Sequence, residues 1–182
     1  MSTNNARAIF VEKTRSSWRG QCWVTKGEAA IRLRDGTIRK YVTRKWFAAD
    51  EDELTPTQAD NYLTEDRGRP DYQEVIYLII SLRGDERSCF AGSDDDLSQV
   101  MCAATREVMR ELAAGVEARE LIWVARSHPD YPNPCVKVLI NRDIRRGRSK
   151  ILKAFPRRLA PRCSEVFLRV FDSANVVGES VR

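Results

Sequence analysis

Histidine is nearly absent from this chain: His128 is the single one among 182 residues. One imidazole cannot build a histidine-rich metal centre and leaves almost no histidine to complete a zinc set. The five cysteines, Cys22, Cys89, Cys102, Cys135 and Cys163, are odd in number and scattered, with no CxxC pair. That pattern predicts free thiols in a reducing compartment rather than a disulfide framework. Glycine is sparse, at nine residues, and no GxxxxGK[ST] string occurs, which removes the phosphate-binding loop. No nucleophile stands in a recognisable elbow, so a serine or cysteine hydrolase finds no support. The longest apolar runs, such as "VIYLIISL", are far too short to cross a bilayer. The opening "MSTNNARAIF" lacks the apolar core of a secretory signal, so the cytoplasm is the expected location and no membrane partner is expected.

What is present suits a folded domain. Hydrophobic residues make up 42% and charged residues 31%, a balance that argues against wholesale disorder. The net charge of +5 hides an asymmetry: acids collect in "DEDE" and "DDD", whereas bases collect near the C-terminus. A basic surface facing an anionic polymer is expected from this distribution. Residues 1–73 read as an N-terminal extension and acidic connection, and residues 74–182 as the core, the two forming one folded unit.

Within the extension, residues 7–26 read as irregular structure or short strands. In "AAIRLRDGTIRKYVTRKW" the Asp35-Gly36 pair is a hairpin signal, yet Ile38, Val42 and Trp46 share a helical face. The reading favours a helix after Gly36. A short helix is predicted over residues 57–63, within a polar stretch punctuated by proline.

The core is easier to read. "EVIYLIISL" is a run of β-branched and aromatic residues that suits a strand buried on both faces. "RGDERSCFAG" reads as a loop. Ser93 then caps a helix whose first turn carries Asp94, Asp95 and Asp96, and along it Leu97, Val100, Met101, Ala104, Val108, Met109 and Leu112 recur at helical spacing up to Gly115. "ELIWVARS" and "CVKVLINR" are the next two strands, joined by the turn "HPDYPNP". A second helix is predicted over residues 149–159 and a last strand over "EVFLRVFD". The order strand, helix, strand, strand, helix, strand predicts an α+β fold: a ferredoxin-like βαββαβ antiparallel sheet with helices packed on one face, plus an N-terminal extension. That fold class serves many functions, so the decision falls to the sites.

The stretch "WVARSHPDYPNPCVKVLINR" brings His128 to the end of one strand and Cys135 and Lys137 to the start of the next. Residues two apart on a strand project from one face, so Cys135 and Lys137 can share a face with His128. This frame resembles the metal motif of conjugative relaxases and plasmid mobilisation nucleases, the HUH endonucleases that nick DNA with a tyrosine. In that family a histidine, a short turn and a pair of histidines on the following strand hold a divalent metal. Here the pair is replaced by Cys135 and Lys137, which makes the motif degenerate. The resemblance implies magnesium or manganese only where nicking is retained, with His128 and Cys135 as what remains of the ligand set; no other cofactor is expected. It also covers "YVTR", which implies Tyr41 as the nucleophile that would form a 5′-phosphotyrosine, with Lys40, Arg44 and Lys45 supplying positive charge. A packing or stacking role for Tyr41, and a hydrogen-bonded strand-end role for His128, are the plainer readings beside these.

A third feature is "RDIRRGRSKILKAFPRRLAPR", in which Arg142, Arg145, Arg146, Arg148, Lys150, Lys153, Arg157, Arg158 and Arg162 occur with Asp143 as the only acid. Such density reads as a phosphate-tracking surface whose affinity falls with salt. Lys137 joins it as a point charge for phosphate, or stands as a solvated strand residue. Trp18, Trp23, Trp46 and Tyr131 are candidate stacking platforms, although most tryptophans at such spacings are core. The leading expectation is a relaxase-like DNA-binding protein of a mobile element. It would bind single-stranded or hairpin DNA without metal-dependent nicking, beside other proteins of a mobilisation or recombination complex. The alternatives are an active tyrosine nuclease working through Tyr41, an RNA-binding module of the same βαββαβ order, and an interaction domain whose basic tail serves solubility.

Overall fold

The computed structural model describes residues 8–15, 28–32, 38–42, 46–64, 74–115, 121–142 and 159–179. In chain order the strands and helices are β1 (Ala8–Arg15), β2 (Glu28–Arg32), β3 (Ile38–Val42), α1 (Pro56–Thr64), β4 (Glu74–Leu82), α2 (Gly84–Cys89), α3 (Asp94–Gly115), β5 (Trp123–His128), β6 (Cys135–Arg142) and α4 (Ala160–Glu179). The fold is α+β, with a four-stranded antiparallel sheet in the order β1-β4-β6-β5 and a separate pair, β2-β3.

Both β4 and β5 run antiparallel to β6, so they are parallel to each other and need a crossover, which α3 supplies. The run "EVIYLIISL" is a strand as its composition predicts, buried on one face at Ile76, Leu78, Ile80 and Leu82 and on the other at Tyr77, with Ile79 and Ser81 half-buried. The helix from Ser93 is also as read. Ser93 and Asp96 form a reciprocal cap, the Asp96 N–H donating to Ser93 Oγ at 3.2 Å and the Ser93 N–H to Asp96 Oδ2 at 2.9 Å. The Ser93 hydroxyl, donating to Asp96 Oδ2 at 2.7 Å, and after it the Ser93 N–H hold the Asp96 carboxyl below its usual pKa. The short helix expected over residues 57–63 is α1, started by Pro56 and a matching Thr55–Gln58 cap.

Four expectations are corrected. "EVFLRVFD" is not a strand but the middle of α4: Cys163, Phe167 and Phe171 recur every four residues and are all fully buried, with Val166 beside them. The residues alternate well enough for a strand, but the helical period runs on beyond both ends of the string and takes precedence. The segment after Gly36 is the strand β3 rather than a helix, pairing with β2 from Arg32↔Ile38 to Glu28↔Val42 around the Asp35-Gly36 signal. The loop "RGDERSCFAG" contains the one-turn helix α2. Helices cover both faces of the sheet, not one. The helix predicted over residues 149–159 falls, except for buried Leu159, outside the described residues.

The edge next to β4 is β1, from the N-terminal extension, paired from Ala8↔Leu82 to Arg15↔Val75. On the first face, Ile76, Leu78 and Ile80 of β4 and Val136, Val138 and Ile140 of β6 pack against α3 and α4. On the second face Tyr77, Val124 and Leu139 pack beneath Trp46, Ala48, Leu54 and α1 residues Ala59 and Leu63. Residues 46–48 turn round the β5 edge: the Phe47 N–H donates to Ala125 O at 2.9 Å and the Ala125 N–H to Phe47 O at 2.8 Å. Phe47 therefore enters the first core, edge-on to Trp123, while its neighbours enter the second. Arg106 of α3 secures the segment by donating to Ala48 O, Glu51 O and Asp52 Oδ1. No helix among the described residues is long and apolar enough to cross a membrane.

Candidate anion-binding site on the second sheet face

The second face is apolar only over half its length. Cross-strand register fixes the other half. His128 stands directly opposite Cys135, and Arg126 directly opposite Lys137, while Ile79 and Ser81 of β4 pair with Lys137 and Cys135 from the other side. Directly opposed residues share a face. Arg126, His128, Cys135 and Lys137 therefore form one cluster. Placing Cys135 and Lys137 on the face of His128 agrees with the sequence spacing. Arg126 was not singled out from the sequence, although its position two residues before His128 on the same strand is the signal that finds it.

The turn between the strands closes over this cluster. The ring of Tyr131 lies 4.6 Å from that of His128, tilted by 31°, and the Lys137 ammonium stands 5.3 Å from the Tyr131 ring centroid. The Arg126 guanidinium lies 4.8 Å over the Trp46 ring, linking the cluster to the apolar half. Trp46 is thus a core residue and not an open stacking surface, at 3% exposure. Asn141, farther along β6, donates from Nδ2 to Leu63 O at the end of α1, which fixes the helix over the apolar half.

Burial sets the protonation states. His128, 4% exposed, has its pKa lowered to about 3 by desolvation first and by the Lys137 and Arg126 charges second. It is neutral at pH 7. Desolvation lowers Arg126 to about 10 while leaving it charged, and lowers Lys137 as well, with Arg126 adding repulsion. The Cys135 thiol is pushed up to about 11 by burial, which outweighs the pull of Lys137. It is a protonated thiol and not a thiolate. His128 Nδ1 and Asp130 Oδ1 are buried and have no hydrogen-bond partner among the described groups.

This donor set does not fit the divalent metal that the resemblance implies. A ligand must offer a lone pair, and a protonated lysine and arginine offer none. Their charges also repel a dication, and Cys135 is a soft donor held in its protonated form. Among the described residues no group of three His, Cys, Asp or Glu side chains is arranged to hold a metal ion. The same arrangement suits an anion. Like charges directly opposed across two strands are destabilising, and an oxyanion between them removes that repulsion.

The remaining predicted residues fall elsewhere. Tyr41 and Lys40 lie in β3, opposite Ala29 and Ala30, and their side chains are outside the described residues. Arg142 ends β6, opposite Glu74, with its side chain likewise outside them. Arg44, Lys45, Arg145, Arg146, Arg148, Lys150, Lys153, Arg157 and Arg158 lie outside the described residues, as do Trp18, Trp23 and Cys22. Cys89, Cys102, Cys135 and Cys163 are free thiols, as the cysteine pattern predicts. Compared with protein-family models, curated proteins and solved structures, the chain matches none.

Proposed function

We propose that this protein binds single-stranded or hairpin DNA on a relaxase-like frame, as a cytoplasmic component of a mobile element, and holds phosphate with fixed cations where metal-dependent relatives would hold a metal. The observation that carries this reading is the Arg126–Lys137 pair, set side by side on the sheet face next to His128. Phosphodiester oxygens accept from the lysine ammonium and the guanidinium without coordination chemistry. Both cations are partly desolvated, which strengthens their attraction for an anion relative to the same charges in water. His128 stays neutral beside them and preserves the spacing of the cluster.

The proposal includes the finer fold. The order β4-β6-β5, with α3 crossing between the parallel pair, supports this reading, because βαββ in that order would be the first three strands and first helix of a ferredoxin-like unit. The position that a final strand would take beside β4 is filled by β1. The sequence is rich in basic residues around Tyr41 and over residues 142–158, and their number predicts strong salt dependence.

The test is retention of labelled single-stranded and hairpin DNA on native gels, in EDTA and in Mn²⁺, with a denaturing gel run beside a Tyr41→Phe variant. Salt-sensitive retention that is equal in EDTA and Mn²⁺, with no covalent adduct, is the expected result. An adduct lost in Tyr41→Phe would establish the nuclease instead. Retention of an RNA control in preference to DNA would shift the reading to RNA, and retention of neither would end it.

A further inference from the structure

His128 ends β5 and Cys135 begins β6, and the two stand directly opposite one another at 4% and 6% exposure. They are the last pair beneath the six residues 129–134 that join the strands. The far end of this turn is fastened: the Pro134 carbonyl accepts from the Leu82 N–H at 2.8 Å and from Ser81 Oγ at 3.4 Å, both on β4. The near end rests on His128, whose ring lies 4.6 Å from that of Tyr131. Pro132 and Asn133, at the tip, are exposed. Beneath the turn His128 Nδ1 and Asp130 Oδ1 are buried without a hydrogen-bond partner among the described groups. An imidazole nitrogen is a donor or an acceptor in either tautomer, so closure leaves polar atoms unsatisfied that water would satisfy. A turn fastened at one end and carrying that penalty at the other opens more readily than the apolar core beneath α3.

We propose that residues 129–133 form an acid-opened cover, which closes on neutral His128 and swings away about Pro134 as His128 takes up a proton, laying bare Cys135. The groups around the imidazole set the direction. Burial disfavours a charge on the ring, and so do Lys137 on β6 and Arg126 on its own strand. Cys135 opposite is a protonated thiol, and Tyr131 of the turn presents its ring. Asp130 is the one carboxylate of the turn, and its buried Oδ1 makes no bond to the imidazole. From the neighbouring elements, Ile79 and Ser81 of β4 flank Lys137 and Cys135, and Trp46 lies against Arg126; none of these three titrates. Closed, the imidazole has a pKa of about 3, whereas in water it returns to about 6.5. The open form therefore binds a proton that the closed form refuses, and its population grows as pH falls below about 6.5. The cover behaves in this way whatever the cluster binds.

The test labels the unaltered full chain with a dipyridyl disulfide between pH 7 and pH 5 and reads each thiol by mass spectrometry of its peptide. Exposed Cys89 reports how the reagent itself changes with pH, and Cys163, buried in the core with α3 and α4, reports opening of that core. Relative to Cys89, labelling of Cys135 is expected to rise roughly 25-fold from pH 7 to pH 5, the increase that one proton with an open-state pKa of about 6.5 produces. Cys135 should also be labelled faster than Cys163 throughout, since the cover opens without the core. His128→Gln, which fills a similar space and does not titrate, should leave Cys135 labelling level across the range. A Cys135 rate that does not rise relative to Cys89, or that equals the Cys163 rate, overturns the cover. Both are read on the unaltered protein, so they decide the matter even where His128→Gln fails to fold. A rise that persists in folded His128→Gln assigns the proton to another group and overturns it too.

Discussion

The two faces of the central sheet are built from the same strands but to different rules. Among the described residues the first face meets α3 and α4 largely through aliphatic, sulfur and aromatic groups, and its buried hydroxyls are bonded, Ser98 with Ser127 at 2.5 Å and Thr105 Oγ1 to Met101 O at 2.7 Å. The second face begins in the same way under Trp46 and α1, then changes within two residues to Arg126, His128, Cys135 and Lys137. Apolar burial of the first kind stabilises at about 25 cal/mol per Å². Burial of opposed cations costs stability. The charged groups of the sheet gather at this end of the second face, which is why the site is assigned there and not to the larger core.

The contrast yields predictions in descending size. Phe171→Ala, deep in the first core, is expected to cost about 3–5 kcal/mol in denaturant unfolding; a cost under ~1 kcal/mol would mean that α4 does not pack as described. Next is acid. The folded pKa of His128, about 3, lies below the ordinary 6.5, so the unfolded chain binds a proton that the folded chain refuses. Stability contributed by neutral His128 is fully present above about pH 6.5 and is lost as pH falls towards 3, by on the order of a few kcal/mol. Because His128 is the only histidine, a His128→Gln variant should flatten the unfolding profile between pH 6.5 and 5, and an unchanged profile would place His128 in water.

Arg106→Ala, which releases residues 48–52 from α3, is expected to cost about 1–3 kcal/mol. Its effect on DNA binding should be indirect and small, read by anisotropy at a temperature where the variant is folded. The smallest stability effect is expected from Lys137→Met. Removing one of two opposed charges while keeping most of the side-chain volume should change unfolding by less than ~1 kcal/mol in either direction, yet it should weaken oligonucleotide binding. If Lys137→Met unfolds the protein, the two faces do not differ in the way argued.

Much of the fold was legible because its strongest periods are long. The 22 residues of α3 carry a cap, an acidic first turn and an apolar stripe that agree with one another. β4 is marked by composition and β5–β6 by a proline-rich turn. The errors came where an eight-residue string served two periods, as in "EVFLRVFD", and where a short segment matched a helical face by coincidence, as with Ile38, Val42 and Trp46. β1 was illegible as an edge strand because its partner lies some 67 residues away in sequence, Arg15 pairing with Val75 at 60 residues and Ala8 with Leu82 at 74. For the site, period two along β6 gave Cys135 and Lys137 with His128. It would also have given Arg126, had β5 been read through the same face. What the chain pattern could not show is that Tyr131 folds back over its own hairpin, since that depends on how a turn of three prolines is set.

The most direct measurement is the salt dependence of oligodeoxythymidine binding in EDTA for the unaltered protein and an Arg126→Gln/Lys137→Gln variant. Each phosphate contact on a single strand contributes a slope of about −0.7 in log affinity against log salt. The account predicts that the variant binds more weakly and with a slope shallower by about 1 to 1.5. Equal affinity and equal slope for the two proteins would contradict it, and would move the DNA contact away from the second sheet face.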